Sequence, residues 1–391
     1  MRRALVASLL AASCGDVAPP PGDSCRLLAD GALVRPAAPG SLVVTSVTPR
    51  YDGGRVHEVS LADLSVRTLP LESTGDTVVR SMGEAVALLH RAVGDQDNLT
   101  LFARAPDGAA RVCQIPLLTD AEARAPGPRP WVNAHDAVAL DAGTVAVTRF
   151  RLASLAVVDV AAGRVSRSVD LAGLRGAARA VYPDAVARVG AELWVTLGRD
   201  VLEQRPTAPG AVARLDASTL ELHGVTELAR ANPVGALHAS PDGAQRWVAA
   251  VGSYNVVGDG AVEAIDVATG RALDPVVTES EVGGNIDALA VVDDRRVVLR
   301  VTAQRVGGGA IDDLRLVLFD RVARTSTTIL RMSTWGAAAP VVTGGRIVAG
   351  DPGSGAFREG AGLRFFTRDG APEGAVVRLG DGLFPYDAQA R

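Results

Sequence analysis

Five aspartates recur along this chain at intervals near fifty residues or a multiple of fifty: Asp76, Asp136, Asp184, Asp287 and Asp387. A carboxylate can accept backbone N–H bonds, pair with arginine or hold a cation. His135 directly precedes Asp136, and Tyr182 and Tyr386 stand near two other anchors, with Tyr386 a candidate ligand contact. A histidine oriented by a carboxylate is a candidate general base. Adjacent strand residues point to opposite faces, so Asp136 is poorly placed to orient its own neighbour. Arg149 is a candidate counter-ion, with Arg199 and Arg305 in comparable places. If the carboxylates share one mouth at roughly 7 Å, neighbours repel by about 2 kcal/mol at an effective dielectric near 20. Such a ring must be tied to backbone amides, or neutralised by arginine or by a divalent cation. The first use is structural, the second and third open to a ligand.

The aspartates belong to a cassette: an anchor, a small residue, an apolar strand, a turn with Gly or Asp, and a second apolar strand. It starts at Asp76, Asp136, Asp184, Gly235, Asp287, Ala338 and Asp387, at intervals of 60, 48, 51, 52, 51 and 49 residues. That spacing is one four-stranded propeller blade per repeat, which predicts an all-β, seven-bladed propeller. The residue after each anchor faces the crowded axis and is small: Ala137, Ala185, Ala236, Ala288, Ala339 and Ala388, with Thr77 the exception. After Asp387 the chain has room for one strand, and the strands it lacks begin at Ser41, Arg55 and Ser65. The C-terminal strand is therefore expected to be the innermost strand of the N-terminal blade, which removes both free edges.

The 391 residues are 48% hydrophobic and 4% aromatic, enough to bury one large core built from Val, Ala and Leu. The forty basic residues are all arginine, and the net charge is −4, which gives no basic field for nucleic acid. Arg2 and Arg3, the apolar run 4–12 and the small residues before Cys14 read as an export signal. The run Leu10-Ala11-Ala12-Ser13-Cys14 resembles a bacterial lipoprotein signal, which implies cleavage before Cys14 and a lipid on it. The expected division is a signal peptide over 1–13, a Pro-rich tether over 14–40 and the propeller over 41–391. The protein is then exported and anchored in the outer or inner membrane, facing the periplasm or the exterior. In an oxidising compartment the two remaining cysteines, Cys25 and Cys113, are expected to pair and pin the tether to the rim.

The run His238-Ala239-Ser240-Pro241-Asp242-Gly243 with Arg246-Trp247-Val248 resembles the bacterial YVTN-type propeller repeat. Ala264-Ile265-Asp266-Val267-Ala268-Thr269-Gly270 matches the second signature of that family, with weaker echoes at 157–163 and 194–196. Both are turn motifs, so the resemblance implies the fold and carries over no catalytic residue.

Long loops at 199–210, 253–260, 304–312 and 351–360 join second to third strands on the face where the anchors lie, making that face the expected binding site. The chain has no GxSxG, HExxH, P-loop or CxxCH, and Gly307–Gly309 reads as a loop tip. The expectation is a monomeric binding or scaffold module for a protein, peptide or glycan, working without a cofactor. The alternative is a hydrolase or lactonase whose cation is held by the aspartates. His238 is expected to be structural, and His57, His90 and His223 show no metal spacing.

Overall fold

The computed structural model describes residues 23–91, 97–104, 108–202, 206, 208–302, 313–332, 338–355 and 359–391. Cys14, Arg305 and the loop tip at 307–309 lie outside them. Within them the strands form seven four-stranded antiparallel sheets, and the chain is a seven-bladed β-propeller. Blade 3 shows the unit, running outward from Ala134–Ala139 through Thr144–Arg149 and Ser154–Asp159 to Arg164–Asp170. Its two middle strands are almost wholly buried between the neighbouring blades, while the outermost is mostly exposed and buries only Val165. Val145 and Val147 pack with Ala87 and Leu89 of blade 2, and Ala146 and Leu155 with Leu193 and Val195 of blade 4. Each buried valine or leucine contributes roughly 1.5–3 kcal/mol, so the core is spread around the ring between blades.

The ring closes as the repeat count requires. Phe384–Ala390 is the innermost strand of blade 1 and pairs antiparallel with Ser41–Val47, matching Leu42 with Ala390 and Thr45 with Asp387. Amide bonds from Gly40 to Arg391 (3.3 Å) and from Arg391 to Ser41 (2.9 Å) finish the seam.

The turns explain why the repeat is readable. At Ser240-Pro241-Asp242-Gly243 the Asp242 carboxylate accepts from Ser240 Oγ (2.6 Å) and Ala244 N (3.0 Å), while Gly243 takes φ +72°. Asp159, Asp216, Asp266 and Asp320 cap the turn between third and outer strands in the same way, each accepting from amides two or three residues on.

The segment before the propeller is folded too. The short helix Asp23–Ala29 lies on the outer strand of blade 2, buries Leu28, and is joined to it by a Cys25–Cys113 disulfide with Cα atoms 5.0 Å apart. Farther along, Ala32 O accepts from Glu84 N (2.8 Å) at the turn between the first two strands of blade 2.

Candidate functional site

The inner strands are bent where the anchors sit. Pairing with the second strand shifts register across Asp136 in blade 3, Asp184 in blade 4 and Asp287 in blade 6, and beside Asp387 in blade 1. An extra residue at a bulge re-aims the local side chains, and here three of the four carboxylates bond the next blade. Asp387 Oδ2 accepts from Val79 N (3.0 Å), Asp136 Oδ2 from Val186 N (2.9 Å) and Asp184 Oδ2 from Gly235 N (2.9 Å). Second-strand threonines satisfy the amides that the bulges free: Asp136 N donates to Thr148 Oγ1 (2.9 Å) and Ala185 N to Thr196 Oγ1 (2.8 Å). The recurring aspartate is thus first a latch between blades.

Arginine supplies the neutralising charge, but not the residue expected. Arg149 is a correction: its side chain is 1% exposed and points outward, bonding Glu122 (2.6 Å), Leu117 O (3.2 Å) and Ser154 Oγ (2.9 Å). Its strand register turns it away from the axis. Arg199 likewise bonds Glu227. The counter-ions are Arg80, Arg91 and Arg300. Arg80 spans Asp136 and Asp387, the second at 2.9 Å. Arg91 bonds Asp76 and Tyr386 Oη, and Tyr386 donates to Asp76. Arg300 Nε bonds Asp287 Oδ1 at 2.7 Å. Burial pulls the Arg80 guanidinium down, but its two carboxylates outweigh that and hold it above its ordinary value. Burial pushes the Asp136 carboxyl up against the opposing pull of Arg80 and two amides. The Tyr386 hydroxyl is raised by burial, beyond what the adjacent Arg91 offsets.

His135 is oriented by a carboxylate, but by that of the next blade: Nδ1 bonds Asp184 Oδ1. Its ring stacks on Phe150 with centroids 4.2 Å apart, and Phe150 meets Tyr182 at 4.9 Å. His238 lines the channel, where burial, helped by Arg80, lowers it to about 4 and keeps it neutral. His57 and His90 are buried within blades 1 and 2 and bonded to hydroxyls of Ser46 and Thr100.

Several of these groups, His135 and His238 among them, wall a cavity of about 550 Å³ along the central channel. Three arginines (Arg80, Arg91, Arg300) and three aspartates (Asp184, Asp287, Asp387) line it, with Tyr254 of the long blade 5 loop and Tyr386. Opposite charges therefore balance on its wall. Among the described residues no three His, Cys, Asp or Glu side chains gather as metal ligands. Arg80, Arg91 and Arg300 escaped sequence reasoning, and for Arg80 and Arg300 the visible signal was a charge directly after an apolar run, as in Val78-Val79-Arg80 and Val297-Val298-Leu299-Arg300.

The fold and channel define the class, a seven-bladed β-propeller with a polar axial cavity. Similar solved structures include a candidate 6-phosphogluconolactonase from Bacteroides uniformis, with TM-score 0.56 and 12% identity over 90% of this chain and 99% of that one. The dihydro-heme d1 dehydrogenase NirN is similar at TM-score 0.51 and 13% identity over 91% and 77% of the two chains. The propeller domain of Cps50 (Swd1) from Myceliophteria thermophila is similar at TM-score 0.51 and 13% identity over 82% and 95%. At such identities the likeness is one of fold. No family model and no curated protein matches the chain.

Proposed function

We propose that this chain is an exported lipoprotein of the YVTN-like kind, tied to a membrane through Cys14, whose propeller binds a protein, peptide or glycan at the anchor-bearing mouth of its channel. The observation that carries this reading is the cavity of about 550 Å³, walled by side chains from several blades that the latches hold rigidly. Pre-formed concave sites with a few convergent polar groups are where ligands bind. The test is capture of a defined partner by the intact lipoprotein from its own membrane. Recovery should be lost with His135→Ala at the mouth and kept with Asp242→Ala on the opposite face. Equal recovery with both variants would sink the reading, and Cys14→Ala should move the protein out of the membrane fraction.

A second reading, a hydrolase, is favoured by one observation. Asp184 holds His135 by Nδ1, which leaves Nε2 without a partner among the described residues, as a general base requires. A cation-dependent version has less support, because the ring carboxylates already bond amides and arginines. Loss of lactone hydrolysis in His135→Ala would favour the enzyme, and absence of hydrolysis in the native protein would dismiss it.

A further inference from the structure

Asp287 is an anchor without an amide latch. The latches of blades 1, 3 and 4 reach the fourth, third and first residues of the next cassette, Val79, Val186 and Gly235. In blade 6 the next cassette is Ala338-Ala339-Pro340, in which Pro340 has no N–H to offer. Asp287 Oδ1 is taken by Arg300, while Oδ2 is buried with no partner among the described residues, on a side chain 1% exposed. Asn285 Oδ1 and Thr302 Oγ1 are buried and unpartnered in the same way, and these two residues are cross-strand partners in that blade. Both Asp287 and Pro340 line the cavity. Buried acceptors are rarely left unpaired in a native protein, so each such group asks for an explanation.

We propose that this corner of the cavity binds a neutral polyhydroxylated ligand, a sugar ring, with a ligand hydroxyl donating to Asp287 Oδ2 where Asp136, Asp184 and Asp387 use a backbone amide. This deepens the binding reading above and rests on it. Charge selects the class: the wall carries three arginines against three aspartates, so neither a cation nor an anion is favoured overall. The unpaired Asp287 Oδ2 asks for a donor. A hydroxyl donates and accepts, and so serves a wall that presents guanidinium and carboxylate groups together. A volume of about 550 Å³ falls within the range of small-molecule sites, and Tyr254 and Tyr386 supply aromatic surface.

The experiment is calorimetric titration and thermal melting of the full chain with glucose, galactose, mannose, N-acetylglucosamine and cellobiose, beside ethylammonium, citrate and Ca²⁺. At least one sugar should bind and raise the melting temperature, and Asp287→Asn should weaken it about tenfold. Pro340→Ala puts an N–H on the cavity wall in the next cassette, and where it latches Asp287 the melting temperature should rise without sugar and the same sugar should weaken by a comparable factor. Binding of no sugar, preference for one of the ions, or an Asp287→Asn protein that binds sugar as well as the native one would overturn the proposal in favour of a water-filled corner. If sugars fail while His135→Ala still abolishes partner capture, the sugar inference falls and the binding face stands.

Discussion

Asp136 concentrates the energetics of the ring in one side chain. Its oxygens take Arg80, Val186 N and Ala137 N, and it is nearly fully buried. Asp136→Ala strands a buried guanidinium and two amides and should cost about 3–5 kcal/mol, read from denaturant unfolding; an unchanged midpoint would refute the latch. Because the carboxylates are already paired, adding Ca²⁺ after chelation should leave the melting curve in place, whereas a cation at a hundredfold over its dissociation constant would add about 2.7 kcal/mol. The aspartates were legible because their spacing repeats. Their partners were not: Arg80 lies 56 residues from one carboxylate and 307 from the other, and no local pattern records such contacts. The same distance hid the bond from His135 to Asp184.

At the scale of single elements, pH separates the buried groups. His57 and His90 are lowered from 6.5 to about 4, chiefly by burial. The unfolded chain takes up their protons near pH 6.5 and the folded one resists until about 4. Their contribution is therefore complete above 6.5 and is lost as pH falls from 6.5 to 4, by at most about 3 kcal/mol each. Glu279, at the start of the short helix Glu279–Val282, acts in the opposite sense. Burial raises it to about 7 although Gly258, Gly260 and Ile286 donate to it. Its ionisation costs stability as pH rises from 4.5 to 7. Glu279→Gln should consequently steepen the loss of stability on acidification, measured as melting temperature between pH 7 and 4; a flatter profile would contradict the assignment. The turns were fully readable here, since an Asx cap is a property of four or five consecutive residues. The bulges were not, because a bulge is defined by the partner strand.

For the whole molecule, closure by the chain's two ends predicts an all-or-none response to truncation. Removing residues 383–391 takes the inner strand from blade 1 and leaves Ser41–Val47 as an exposed edge. The truncated protein should lose its cooperative thermal transition and associate, seen by calorimetry and light scattering; a sharp transition in a monomer would show that the seam is dispensable. Reducing the Cys25–Cys113 bond, which closes a long loop holding three strands of blade 1 and the first three of blade 2, should cost about 4.5 kcal/mol on a chain-entropy account. Blade number and closure were legible because counting strands from either end leaves the same remainder. The cavity was not, since it is the space between inner strands drawn from every part of the sequence.

The seam also sets a direction. Each inner strand starts at the cavity mouth, so its far end, with Gly40 bonded to Arg391 and Ala32 to Glu84, lies on the opposite side of the disc. From Gly40 the chain returns past Ala32 on that rear side to the helix Asp23–Ala29 on the flank of blade 2. A tag appended after Arg391 would therefore emerge at the back, leaving the opening of the channel unobstructed.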